Sequence, residues 1–416
     1  MKRKLLVIVG RVLGAALLLL FHLVGARRLG PDIYGILALA LAWSTLLSSL
    51  AALGWQALLT ERLPKLHEAG RLTRPAHALL RSAQAVAFLT AVLISTLLLA
   101  FATILPTSLS IRALAVCAVL LPPTSLLLVL RRALEAVNQP LQSILYCDIV
   151  MPASAILLLL VVRPSQWHYG ILLALPLLIA SAFAAFGLEG SPRPSSLSPF
   201  SPSVILDSRN WRSAFEYLVG TFGQVSLTRL DTIALGLAPG STALLVGAYS
   251  VARRLAMTTN YGLNALAPLI VADFGRAASS SSPDLRPSYL TYTAWATALG
   301  ILPLALILLK PRFLLQLFQS DFSIAAAPMV ILALGEFARA LVGPSGYALI
   351  VRGSSRYFAV SNLAGVLLCI VLLAILVPTL STIGAALSVG IAYIVVNVVQ
   401  VYGVLFSPIR GLNNRA

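Results

Sequence analysis

Between residues 5 and 406 the chain is a near-continuous succession of apolar runs, each about long enough to cross a bilayer and each bounded by charge, Pro or Gly. The windows fall at 5–26, 34–55, 83–105, 111–130, 144–162, 168–188, 213–237, 243–270, 288–309, 324–350, 357–378 and 382–406. So much apolar surface cannot be packed inside a water-soluble core. Only 10% of the residues are charged, against about 25% in soluble domains, and the mean hydropathy is +0.93. The reading is an all-α polytopic membrane protein of about twelve transmembrane helices in two six-helix bundles. The domains are then 1–188, a Ser/Pro-rich cytoplasmic linker over 189–210, and 211–416. A faint repeat supports the halves: Tyr34-Gly35 with Ala38 and Ala40 resembles Val246-Gly247 with Ala248 and Ala252.

The formal charge of +17 suggests nucleic acid at first sight, but no soluble basic module or zinc framework is present to use it, so nucleic acid is excluded as a partner. Sorting Lys and Arg by side explains the charge better. With the N-terminus inside, nineteen are cytoplasmic: Lys2, Arg3, Lys4, Arg62, Lys65, Arg71, Arg74, Arg81, Arg131, Arg132, Arg193, Arg209, Arg212, Arg276, Arg286, Arg352, Arg356, Arg410 and Arg415. Six fall outside: Arg27, Arg28, Arg112, Arg163, Lys310 and Arg312. This asymmetry is the positive-inside rule, and it places both termini of the inner-membrane protein in the cytoplasm. A cleavable signal peptide ending at Ala26 is the lesser reading of the first span, because Arg11 interrupts the apolar run. Cys117, Cys147 and Cys369 lie in apolar stretches at unrelated spacings and read as packing residues, with no metal site or cofactor indicated.

The five remaining arginines, Arg11, Arg229, Arg253, Arg254 and Arg339, lie within the spans. A charge at a helix centre costs about 2.5–3.5 kcal/mol on insertion scales, so each requires a partner or water. Arg253 is about ten residues into its span and hence some 15 Å deep. On its helix Tyr249, Arg253, Asn260 and Asn264 share one face, with Arg254 pointing elsewhere. The preceding span carries Tyr217, Thr221, Gln224, Thr228 and Asp231 at intervals of four and three. Arg11, Gly14, Leu18 and His22 form a third stripe, and Glu336, Arg339, Gly343 and Tyr347 a fourth. Four such stripes suggest an aqueous cleft. The substrate-binding candidates are Arg11, Arg229, Arg253, Arg254, Arg339, Tyr249, Asn260 and Gln224, and the deep acids Asp231 and Glu336 are candidates for coupling to H⁺ or Na⁺. Each has a structural alternative. Arg11 can snorkel to the headgroups, Glu336 and Arg339 can neutralise each other, Asp231 can pair with a neighbouring Arg, and His22 can be a buried hydrogen bonder. Glu135 and Asp148 read as residues of a solvated interface.

The run from Ala26 to Gly35 (Ala-Arg-Arg-Leu-Gly-Pro-Asp-Ile-Tyr-Gly) is similar to the first loop of bacterial polysaccharide and O-antigen flippases, in the multidrug/oligosaccharidyl-lipid/polysaccharide exporter superfamily. The resemblance continues through Leu53-Gly54 and Arg62-Leu63-Pro64 to Arg229–Gly236, Val246–Ala256 and Gly384-Ala385-Ala386. It implies two bundles of the kind seen in multidrug exporters of that superfamily, facing a cavity that opens alternately to each side, with Arg11, Arg229 and Arg253 on the cavity side. It also implies a flippase that moves undecaprenyl-diphosphate-linked oligosaccharide to the outer leaflet for lipopolysaccharide or related polysaccharide, beside membrane lipids, glycosyltransferases and a polysaccharide polymerase. The chain lacks the extra helix pair of lipid II flippases, and its stripes hold few acids. A multidrug or cation exporter of the same superfamily is the alternative, and it would need more deep carboxylates. An integral-membrane glycosyltransferase or polymerase would need a large outer loop or acids near an interface. No phosphate-binding Gly-rich loop suggests direct use of ATP.

Overall fold

In the computed structural model the described residues are 2–68, 71–102, 108–162, 169–189, 202–278, 285–351 and 355–406. Most of the linker expected over 189–210 (residues 190–201) and the serine run 279–282 lie outside them. Eight helices among the described residues are long and apolar enough to cross a membrane.

Two of these eight, Lys2–Ala51 and Ser355–Phe406, are far too long for one crossing: 50 residues of helix measure about 75 Å, against a hydrocarbon core of about 30 Å. Each turns back on itself. In the first, Gly30 adopts φ 77° and ψ 167° just before Pro31, a conformation open to Gly because it has no Cβ. Residues on either side then meet, with His22 Nδ1 3.0 Å from the Tyr34 hydroxyl. In the second, Ser381 has φ 48° and ψ −123°. Gln400 reaches back to donate to the Ser361 hydroxyl (3.3 Å), and Gly365 lies so close to Val396 that a Cβ there would sit 2.2 Å from its Cγ2. Each long helix is therefore two antiparallel spans joined by an almost loopless turn.

Two further membrane segments are broken and more polar. One is Ser208–Leu227 followed by Leu230–Leu237, interrupted at Thr228-Arg229. The other is Ala243–Met257, a 3₁₀ turn over Thr258–Asn260, and Tyr261–Ala278. Counting these and the two hairpins, the architecture is compatible with twelve crossings. An antiparallel pairing of His67–Glu68 with Arg71–Leu72 is the sole sheet among the described residues.

The chain forms two compact units, residues 1–225 and 226–416. In the first, Ser108–Ala136 is central, packing against Lys2–Ala51, Arg74–Ala102 and Tyr169–Glu189. Its core gathers Trp55, Leu58, Leu59, Leu63, Leu130, Leu134 and Ala214. Close approach here depends on Gly54, which has φ 80° and faces the Ala214 carbonyl, so that a Cβ would lie 1.8 Å from the oxygen. In the second unit Ala326–Val342 is central, against Ser355–Phe406, Ala243–Met257 and Arg286–Leu309. Large apolar side chains such as Val161, Phe186, Leu302 and Leu309 are exposed, as they should be where the surrounding solvent is hydrocarbon.

Candidate functional site

The second unit brings seven polar side chains from four segments into one connected network. It starts at the helix break. Leu227 and Thr228 end a helix, so their carbonyls lack the amides that a continuous helix would supply. Arg253, from Ala243–Met257, supplies them: its Nε donates to the Thr228 carbonyl (3.1 Å) and an Nη to the Leu227 carbonyl (3.1 Å). Its other Nη atom donates to Asp231, on the far side of the break, and forms an ion pair with it. Asp231 also accepts from the Tyr249 hydroxyl at 2.7 Å and from the Thr232 amide at 2.7 Å. Both charged groups are enclosed, Arg253 at 3% and Asp231 at 0% exposure. Arg253 is thus enclosed and bonded to partners within the unit, one of the two surrounds, water or a partner, that the sequence allowed.

The network extends through Tyr393, whose hydroxyl accepts from Arg253 (3.1 Å) and donates to the Leu227 carbonyl (3.3 Å). The Tyr393 ring lies under Arg339, 4.5 Å from the guanidinium carbon. Arg339 pairs with Glu336 at 3.0 Å, one turn away on its own helix. Glu336 is 3% exposed and takes a longer hydrogen bond, 3.3 Å, from the Asn260 amide. Asn260 and Glu336, placed on separate stripes by the sequence, are therefore in contact. Each of the two deep acids has an arginine partner.

Arg229 differs from the other arginines. It occupies the break itself, as the residue that caps Leu230–Leu237, where the helix dipole favours negative charge. The positive charges of Arg254 and Arg253 act against it, and Asp231, the acid that favours it, is held by Arg253. Its Nε is buried and has no hydrogen-bond partner among the described residues. Arg254, half-buried, contributes a further positive charge beside it.

The remaining candidates lie in the first unit. Gln224 is exposed on Ser208–Leu227. Arg11 pairs with Glu135 at 3.2 Å, and Glu135 also meets Arg132 at 3.0 Å and Arg131 at 3.5 Å. Arg131 in turn forms two bonds to Asp148, at 2.9 and 3.3 Å. Glu135 and Asp148 thus belong to an ion network joining three helices, with Asp148 on a π-helical stretch, Ile144–Val150. Arg11, Gly14 and His22 all face contacts within this unit, Gly14 against Asp148 and His22 against Tyr34. Tyr393 and Asn397 escaped the sequence reading, although Tyr393, Asn397 and Gln400 recur at helical spacing on an otherwise apolar span.

Residues 2–271 match the family described as polysaccharide biosynthesis protein. No curated protein matches the sequence. Among solved structures, the fold is similar to a lipid II flippase MurJ in an inward closed conformation (TM-score 0.74, 14% identity, covering 98% of this chain and 89% of that one). It is also similar to an inward-facing multidrug resistance MATE family transporter of the MOP superfamily (TM-score 0.68, 15% identity, 96% and 97% covered). A third is an outward-facing multidrug resistance MATE family transporter of the same superfamily (TM-score 0.65, 15% identity, 97% and 95% covered).

Proposed function

The chain belongs to the polysaccharide biosynthesis protein family, and from that premise we propose that it is a flippase carrying undecaprenyl-diphosphate-linked oligosaccharide from the cytoplasmic to the outer leaflet by alternating access. No covalent bond is made or broken in this reading. The protein's task is to give a diphosphate and its sugars a polar path through hydrocarbon. Glycosyltransferases and a polymerase would act before and after it, and the O-antigen of lipopolysaccharide is the kind of product it would serve.

The observation that carries the reading is the charge balance of the second unit's network. Among the described residues, Asp231 and Glu336 each already have an arginine of their own, Arg253 and Arg339, which leaves the positive charge of Arg229 over as a complement to a phosphate. Arg229, whose Nε has no partner among the described residues, is the group with the most to gain from an anion. Its planar donors suit phosphate oxygens. Arg253 is assigned a supporting part, holding the break that presents Arg229. A multidrug exporter of the same fold would require an acid open to a cationic drug, and both deep acids here are paired with arginine.

The test is accumulation of lipid-linked oligosaccharide in the inner leaflet, with membrane abundance controlled. Arg229→Gln is expected to lose at least about tenfold in export at unchanged abundance, the effect of forgoing one charge-assisted hydrogen bond of about 1.5–3 kcal/mol. Arg229→Lys is expected to retain part of it, since an ammonium keeps the charge without the fork. Wild-type export by Arg229→Gln would overturn the assignment.

A further inference from the structure

Away from the arginine network, the second unit holds a cavity of about 500 Å³ between Tyr261–Ala278 and Arg286–Leu309. That volume is in the range of small-molecule sites. Gly262 lies against Ala296 while Asp273 accepts from the Tyr292 hydroxyl, so the two helices are antiparallel and the acid is at the end where they join. The lining changes character along the cavity. Asp273, Thr291 and Tyr292 form one end, and Leu266, Leu269 and Trp295 continue from it. At about 1.5 Å per residue, Leu266 is about 10 Å along its helix from Asp273. The cavity is open on an apolar side of the unit, because Thr291, Trp295, Leu299 and Leu302 share one helix face and all are exposed. Trp295, at 60% exposure, has the amphipathic ring that suits a membrane interface.

The hydrogens at the polar end are already committed. Tyr292 donates its hydroxyl proton to Asp273, and Thr291 donates its own to the Pro287 carbonyl at 2.8 Å. These three side chains therefore offer the cavity acceptor oxygens: a carboxylate, a phenol and an alcohol. Among the described residues that line it, Asp273 is the one that carries charge. A phosphate meets repulsion at such a surface, whereas a primary ammonium brings a positive charge and three N–H donors to it. We propose that the cavity seats the headgroup of an aminophospholipid of the inner leaflet, the side to which the Lys and Arg distribution assigns the joined end of these helices. The ammonium is held by Asp273, Tyr292 and Thr291, and the start of an acyl chain lies along Leu269, Leu266 and Trp295. The chain then continues into the hydrocarbon that covers Leu299 and Leu302. This lipid site is separate from Arg229 and its network, and it stands whether or not the flippase reading does.

The test is native mass spectrometry of the full-length protein, released from detergent and titrated with phosphatidylethanolamine, phosphatidylcholine or phosphatidylglycerol of matched acyl chains. Phosphatidylethanolamine is expected to bind at least about tenfold more tightly than phosphatidylglycerol, the difference made by one charge-assisted hydrogen bond. It should also bind more tightly than phosphatidylcholine, whose ammonium has no N–H to donate. Asp273→Asn should abolish the preference over phosphatidylglycerol, and its amide oxygen can still accept from Tyr292, so the variant should remain monodisperse in gel filtration. Thr291→Val, at an exposed position, keeps the side chain's shape and removes one acceptor. It should weaken phosphatidylethanolamine binding and leave phosphatidylcholine binding unchanged. Equal binding of the three lipids by the wild-type protein, or an undiminished preference in both variants, would overturn the site. Binding of phosphoethanolamine, which has no acyl chains, as tightly as the whole lipid would overturn the assignment to a lipid.

Discussion

Replacing Arg253 by Met should cost the protein most of its stability, and the structure indicates where the cost comes from. The substitution keeps much of the apolar stem and removes the guanidinium. Asp231, at 0% exposure, then keeps its bonds from Tyr249 and the Thr232 amide but loses its counter-charge. Breaking a buried ion pair from one side costs about 3–5 kcal/mol. The Thr228 carbonyl also loses the Arg253 Nε bond, at about 1–3 kcal/mol for a buried acceptor left short. The Leu227 carbonyl still has Tyr393. The expected total is about 4–8 kcal/mol, comparable with the whole stability of an ordinary domain. Asp231→Asn in the same chain removes the stranded charge, so the double variant should recover about 3 kcal/mol relative to the sum of the single effects. Equilibrium unfolding of the detergent-solubilised protein in a graded SDS series, run as a double-mutant cycle, measures this directly. If Arg253→Met were as stable as wild type and the cycle additive, Arg253 would not be holding the helix break. Normal stability combined with lost export would place Arg253 against the substrate.

Two other expectations follow from the fold. Gly54→Ala should sharply reduce the amount of monodisperse protein in gel filtration, because its Cβ meets the Ala214 carbonyl at 1.8 Å, whereas Gly240→Ala, also at positive φ but with nothing within 4 Å, should cost only the roughly 1–2 kcal/mol of the left-handed backbone. Reporter fusions at Arg71, at Ser198 and at the C-terminus should all report cytoplasm, as the distribution of Lys and Arg requires, and periplasmic phosphatase activity at Ser198 would contradict it.

The helices were legible because hydrocarbon demands long apolar runs, and the sequence marks their ends with charge, Pro and Gly. The hairpin at Gly30-Pro31 was marked in this way. The break at Thr228-Arg229 was not: neither residue is a helix breaker, and the bend persists because Arg253, a distant residue in the chain, binds the freed carbonyls. The depth argument was right that Arg253 needs partners, but periodicity within one helix could not say whether water or Asp231 would provide them. The same limit hid the network of Arg11, Glu135, Arg131 and Asp148. Arg11 and Glu135 are 124 residues apart, so their pairing depends on tertiary packing and leaves no local trace. Tyr393 was overlooked for a different reason, since one hydroxyl scarcely changes the hydropathy of a span.

The turn at Ser381 has a consequence for how the protein is made. Its two arms meet along their length, Ser361 with Gln400 and Gly365 with Val396, and the chain between them is too short to form a loop outside the membrane. The first arm cannot wait in the bilayer as a finished span with a long aqueous tether behind it, because its partner begins within a residue or two of its end. The two are therefore expected to leave the translocon together as a helical pair, with their glycine contact made as they insert. Lengthening this turn with a few polar residues would uncouple the arms and turn one insertion event into two, exposing the bonding face of Ser361 to lipid before Gln400 arrives.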